Sequence, residues 1–102
     1  FKENCPDLRN TRVVDVIREL EDLGAQVDVH DPWADPGEAR EEYGVALVGE
    51  PEAGAYDAII LTVAHHQYAD MGADQIHGLG RDPHVLYDVK QLLPAADVDG
   101  RL

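Results

Sequence analysis

The positively charged residues at the start of the chain are the first whose placement suggests chemistry. Lys2 and Arg9 stand in the opening run FKENCPDLRNT, directly before a segment with the pattern of an amphipathic helix. A helix N-terminus favours anions, because its first backbone N–H groups are free and the positive end of its dipole lies there. In a chain of net charge −13, cations at such a point predict a phosphate-bearing ligand.

A third cation, Lys90, directly follows a predicted strand, and Lys2 and Lys90 are the only lysines in the sequence. In parallel sheets, ligands bind beyond the carboxyl ends of the strands. Three segments are therefore expected to converge at that edge, residues 2–9, 31–33 and 88–90. The residues alone thus predict an anion site built from Lys2, Arg9 and Lys90.

Other reactive residue types lack partners in the sequence. Cys5 lies near a helix N-terminus, which lowers the pKa of a thiol, but no base accompanies it, and we interpret it as structural. His65 and His66 are adjacent, with no cysteine or second histidine cluster to complete a metal site, so no metal is predicted. We expect both histidines to shape the loop after the central strand.

Two aspartates and a tryptophan follow predicted strands and admit more than one interpretation. Asp31 and Asp88, with Lys90, resemble the acidic pocket of a receiver module, but the paired acidic site that such a module needs on its first strand is missing. Trp33 could stack on a base, although packing is the more common role of a tryptophan after a strand.

Composition limits the classes of partner. A length of 102 residues predicts one domain, and the longest apolar run, residues 58–64, is too short to span a bilayer. The net charge of −13 argues against nucleic acid and anionic membranes. One cysteine allows no internal disulfide and fits a reducing compartment such as the cytoplasm. The acidic, lysine-poor surface indicates either salt adaptation or only solubility.

Hydrophobic periodicity predicts alternating helices and strands. One helix is expected from Asn10 or Thr11 to about Leu23, with Val13, Val16, Ile17, Leu20 and Leu23 on its apolar face, and another from Pro36 to Tyr43. Strands are predicted at 27–30, 58–63 and 85–87, a short strand or extended loop at 45–48, and two short helical turns at 66–71 and 74–78. The order predicts a three-layer α/β/α, Rossmann-like domain with a mostly parallel sheet, whose ordered part closes at 92–94.

Four motifs, in order and spacing, resemble one protein family. They are FKENCPDLRNT at 1–11, VHDPW at 29–33, YDAII at 56–60 and HVLYDVK at 84–90. Together they are similar to the C-terminal, UDP-binding domain of the UDP-glucose/GDP-mannose 6-dehydrogenases. The subgroup of the Vi-antigen type, which oxidises UDP-N-acetylglucosamine for surface polysaccharide synthesis, is the most similar. Because the chain begins inside the first motif and the similarity reaches its last residues, we expect a C-terminal domain cut from a longer protein and ending at its native Leu102.

The resemblance implies an enzyme that oxidises the sugar C6 alcohol to a carboxylate in two NAD-dependent steps. It implies that Phe1, Lys2 and Lys90 contact the sugar nucleotide and that Arg9 reaches NAD across an interdomain cleft. Lys90 departs from the arginine of UDP-glucose enzymes, so paired hydrogen bonding is lost there. The NAD-binding domain, the catalytic cysteine and the central helix that forms a homodimer would belong to the remainder of the protein.

Alternative functions remain open at this point. The chain could belong to a UDP-glucose or GDP-mannose 6-dehydrogenase, or it could be a non-catalytic α/β nucleotide-binding or signalling module. No residue in the sequence identifies the sugar epimer, and the fragment alone is expected to be inactive as a dehydrogenase.

Overall fold

The computed structural model describes residues 12–101, which fall into two compact units divided between Pro51 and Glu52. The described part contains α1 (Arg12–Asp22), α2 (Pro36–Tyr43), β1 (Tyr56–Leu61), α3 (His66–His77), β2 (Gly80–Asp88) and β3 (Gly100–Arg101), with a 3₁₀ turn at Ala95–Asp97. The helices accompany one sheet of three strands, all parallel. This combination confirms the predicted Rossmann-like α/β class.

Helix α1 buries a narrower stripe than its sequence pattern predicts. Val13 and Ile17 are buried as expected, but Val14 is buried with them, whereas Val16 is exposed and Leu23 is 79% exposed. The predicted apolar face was therefore partly wrong. Its centre lies between positions 13, 14 and 17, which a helix of 3.6 residues per turn places on one side. The helix ends at Asp22, and Gly24 follows with a φ of 92°.

Helix α2 has the ends that its sequence predicts. The Asp35 carboxylate accepts a hydrogen bond from the Gly37 N–H at 2.8 Å, and Pro36 occupies the first turn. Gly44 ends the helix in the left-handed region, with a φ of 68°, where a side chain would be strained. Because α2 is only 8 residues long, these caps contribute a large share of its stability.

The strand predicted at residues 27–30 does not form as a strand in the described part of the chain. Only a single parallel bridge joins Val29 to Leu47, and the Val48 N–H donates to the Val29 carbonyl at 2.8 Å. This bridge also fits the extended segment predicted at 45–48. Alternating valines favour extended backbone, but a strand needs a neighbour along its whole length, and Val29 has one at a single position.

In the second unit, β2 lies between β1 and β3. Ala58 pairs with Val85 and Leu61 with Asp88, whereas Tyr56 pairs with Gly80, so the register shifts across residues 81–84. Pro83 lies in this irregular segment, where its missing N–H costs no ladder bond. The polar, proline-containing sequence of residues 80–84 explains why the prediction limited this strand to 85–87.

Helix α3 covers one face of this sheet. Ile76 packs with Leu61, Leu86 and Leu93 in a buried cluster. Gly72, with a φ of 74°, breaks the helix, in agreement with the two predicted helical turns. The apolar run of β1 is typical of a strand buried on both faces, but Ile60 in β1 and Val85 in β2 are 37% and 50% exposed.

The chain remains ordered beyond residues 92–94, where the sequence suggested that the ordered part closes. Gly100 and Arg101 pair with Tyr87 and Asp88 as a third parallel strand. The Asp99 carboxylate accepts from the Leu86 N–H at 2.7 Å, and the Asp99 N–H donates to the Leu86 carbonyl at 2.8 Å. Two residues carry no detectable strand pattern, so sequence periodicity could not have found β3.

Candidate functional site

Only one of the predicted site residues lies in the part of the chain that the structure describes. Phe1, Lys2 and Arg9 lie outside the described residues, as does Cys5, and their roles stay predictions. Lys90 is described, and it is exposed in the turn that follows β2. It thus lies beyond the carboxyl end of a parallel strand, where α/β sheets bind their ligands.

The turn that carries Lys90 is held at both ends. On one side, the Val89 N–H donates to the Leu61 carbonyl at 3.0 Å, which ties the turn to the end of β1. On the other, the Leu93 N–H donates to the Asp88 carboxylate at 2.7 Å. Gln91 lies between these bonds with a φ of 58°, in the left-handed region. The backbone that bears Lys90 is thus a closed, hydrogen-bonded loop.

Asp88 and Asp31 each accept hydrogen bonds from nearby backbone N–H groups, which is not the role of the acidic side chains in a receiver pocket. The fully buried Asp88 is occupied with the Leu93 N–H. Asp31, in the first unit, accepts from the Trp33 and Ala34 N–H groups at 2.8 and 3.0 Å and closes its own turn. Among the described residues no group of three or more His, Cys, Asp or Glu side chains is arranged to hold a metal ion.

His65 and His66 have separate environments. His65 is fully buried just before α3, with its ring centroid 5.7 Å from that of Tyr68, and its backbone N–H donates to the Val63 carbonyl at 3.0 Å. His66 is the exposed first residue of α3. His65 thus lies in the connection between β1 and α3, and the loop-shaping role of the pair stays a prediction.

A second pair of histidines was not singled out from the sequence. His77, at the end of α3, places Nδ1 2.8 Å from Nε2 of His84. A Cβ at Gly80 would overlap the His84 ring, so this close packing requires glycine. The two histidines are seven residues apart on different elements, and no spacing rule in the sequence would have paired them.

The loop after β1 differs from the usual dinucleotide-binding loop. The connection between β1 and α3, residues 62–65, contains no glycine that would let a pyrophosphate approach the backbone. A dinucleotide such as NAD therefore does not find its usual cradle in this part of the chain. Across residues 12–101, no helix is both long and apolar enough to cross a membrane.

Comparison with known families gives one match that covers most of the chain. The model of the UDP-glucose/GDP-mannose dehydrogenase family, UDP binding domain, matches residues 1–95. This range includes the N-terminal motif, which lies outside the described residues, as well as Lys90 and the loop that carries it.

Curated relatives match over the full length of the chain. It is 53% identical over 102 residues to the UDP-N-acetyl-D-glucosamine 6-dehydrogenase of Salmonella typhi. It is 57% identical over 102 residues to the protein of the same name from Pseudomonas aeruginosa. Protein CapL of Staphylococcus aureus is 36% identical over 99 residues. The chain spans 24% of the length of each of the first two relatives and 23% of the third.

Proposed function

Because the chain belongs to the UDP-glucose/GDP-mannose dehydrogenase family, we propose that it is the C-terminal, sugar-nucleotide-binding domain of a UDP-N-acetylhexosamine 6-dehydrogenase. The observation that carries this proposal is that the chain aligns over all 102 residues, at 53% and 57% identity, with two enzymes named for UDP-N-acetyl-D-glucosamine. UDP-N-acetylglucosamine is therefore the preferred substrate. The longer protein oxidises its C6 alcohol to a carboxylate, as a precursor for surface polysaccharide.

The cations of the chain recognise the charged part of this substrate. Phe1, Lys2 and Lys90 bind the sugar nucleotide, and Arg9 contacts NAD. A UDP-sugar carries a diphosphate, whose approach to a surface of net charge −13 is unfavourable unless local cations offset the field. Lys90 supplies such a charge from an exposed turn. Each charge-assisted contact to phosphate contributes ~1.5–3 kcal/mol.

The catalytic steps require the remainder of the protein. The chain contains no G-x-G-x-x-G dinucleotide motif, and residues 12–101 contain no cysteine to act as a nucleophile. NAD, when bound by the N-terminal domain, supplies the hydride acceptor. We place the complete enzyme in the cytoplasm as a homodimer, where this domain closes the sugar-nucleotide site.

Titration of the purified chain with UDP, GDP and Mg²⁺, followed by NMR, tests the binding function. Saturable UDP binding is expected, with resonance changes at Lys90 and its neighbours, because the site is built for the nucleotide diphosphate. GDP serves as the matched control for base preference. Binding of Mg²⁺ at Asp31 or Asp88 without a response to UDP would instead favour a non-catalytic signalling module.

A further inference from the structure

We infer that Asp88 is a positioning residue that holds Lys90 where it can bind the diphosphate of the UDP-sugar. The inference rests on the proposed function and extends it to a residue that makes no contact with substrate. Asp88 is the last residue of β2 and is 0% exposed, whereas Lys90, two residues later, is exposed. The buried carboxylate and the exposed ammonium thus belong to one short segment.

The bond from the Leu93 N–H to Asp88 Oδ2, 2.7 Å long, closes the loop that contains Lys90. Leu93 is itself buried in the cluster with Leu61, Ile76 and Leu86, so the far end of the loop is fixed to the core. A lysine side chain is long and flexible, and it recognises phosphate as a point charge. Because the backbone of Lys90 is held in place, binding has only the motion of its side chain left to restrict.

Only one oxygen of Asp88 is used in this way. Oδ1 is buried and has no hydrogen-bond partner among the described residues. Holding the loop therefore needs one accepting oxygen and not a full carboxylate. Asparagine offers such an oxygen at the same position, and its uncharged amide is less unfavourable to bury than a carboxylate. Asp88→Asn should keep the loop in place, and Asp88→Ala should release it.

Asp99, just before β3, provides a control because its carboxylate also accepts from a backbone N–H in the second unit. Its Oδ2 accepts from the Leu86 N–H at the same distance, 2.7 Å, but this bond joins β2 to the segment before β3. Asp99→Ala thus removes a bond of the same kind without opening the Lys90 loop. Loss of a carboxylate–backbone bond should lower the melting temperature in both alanine variants. Only Asp88→Ala should also weaken the binding of the UDP-sugar.

The test measures the affinity of the full-length enzyme for the UDP-sugar, with the KM for NAD and the melting temperature as companion readouts. Lys90→Ala should weaken affinity by about tenfold or more, since it removes a charged contact. Asp88→Ala should weaken it roughly three- to tenfold, leaving the KM for NAD unchanged. Asp88→Asn and Asp99→Ala should stay within about twofold of the wild type.

The decisive comparison is the double variant. If Asp88 acts through Lys90, adding Asp88→Ala to Lys90→Ala causes no further loss of affinity. An equal loss with and without Lys90 would overturn the inference, as would wild-type affinity in a folded Asp88→Ala enzyme. If Asp88→Ala does not fold, Asp88→Ser replaces it. The serine hydroxyl oxygen is one bond closer to the backbone than the accepting oxygen of asparagine or aspartate, so the hydrogen bond from the Leu93 N–H is still lost.

Failure of the inference is distinguishable from failure of the proposed function. Wild-type affinity in Lys90→Ala would remove the role of Lys90 and, with it, the role of Asp88. A full-length protein that binds no UDP-sugar at all would reject the proposed function directly. Normal turnover combined with an Asp88→Ala variant that resembles Asp99→Ala would reject only the positioning role.

Discussion

His77 Nδ1 and His84 Nε2 lie 2.8 Å apart, and the other nitrogen of each ring faces a backbone carbonyl. His77 Nε2 is 2.6 Å from the Asp97 carbonyl, and His84 Nδ1 is 2.7 Å from that of Arg81. These three contacts join the end of α3 to the irregular residues 81–84 and to the 3₁₀ turn at Ala95–Asp97.

Substitution of His84 by alanine tests the contribution of this contact to stability. His84→Ala removes the contact with the end of α3, so the unfolding free energy should fall by ~1 kcal/mol. Chemical denaturation at one pH measures the change, with the exposed His66→Ala as the control. An unfolding free energy equal to that of the wild type in His84→Ala would show that the contact contributes nothing to stability.

Local chemistry was enough to predict part of the fold. The ends of α2 depend on Asp35, Pro36 and Gly44, whose effects act within a few residues. The run of branched apolar residues at β1 likewise predicted a strand. The strand expected around Val29 failed because strand formation depends on a partner, and the sequence specifies extended backbone without saying what lies beside it.

The candidate site was predictable only in part, for a related reason. Placement of Lys90 in an exposed turn after a strand followed from the sequence order, and its role stays a prediction. The bond from the Leu93 N–H to Asp88 and the contact between His77 and His84 did not follow. The first depends on how the turn after β2 closes, and the second on how α3 lies against the irregular residues 81–84 of β2, which no residue spacing encodes.

Salt should stabilise the domain if its acidic surface repels itself. With a net charge of −13, added KCl screens the repulsion in the folded state, so the melting temperature should rise by several degrees from low to molar KCl. A variant with glutamine at the exposed positions Glu19, Glu21, Glu41 and Glu42 should show a smaller rise. A melting temperature that stays constant across this range in the wild type would reject salt adaptation.

The chain alone should produce no NADH from NAD and UDP-N-acetylglucosamine. It lacks the dinucleotide motif and a nucleophile with an adjacent base, both of which the two oxidation steps require. Absorbance at the NADH band, with the full-length enzyme as the positive control, measures this. Turnover by the purified fragment would show that it contains catalytic groups that the sequence does not reveal.

Lys2 and Arg9 should fail in different ways in the full-length enzyme. Lys2 begins the N-terminal motif, and Arg9 stands at the entrance of the helix that follows. Lys2→Ala should weaken the binding of the UDP-sugar, and Arg9→Ala should mainly weaken the binding of NAD. Each affinity should fall by about tenfold or more, because a charged contact is lost. Binding of both ligands to both variants, with melting temperatures as the control for folding, separates the roles. Equal losses for both ligands in folded variants would indicate one general electrostatic patch.

The activity of the full-length enzyme on UDP-N-acetylglucosamine, UDP-glucose and GDP-mannose tests the proposed function most directly. We expect the highest kcat/KM for UDP-N-acetylglucosamine, because the relatives that match every residue of the chain at 53% and 57% identity are named for it. Oxidation of an alcohol to a carboxylate should reduce two molecules of NAD per sugar. A higher kcat/KM for GDP-mannose or UDP-glucose, or binding of UDP without NADH formation from any of the three, would contradict the proposal.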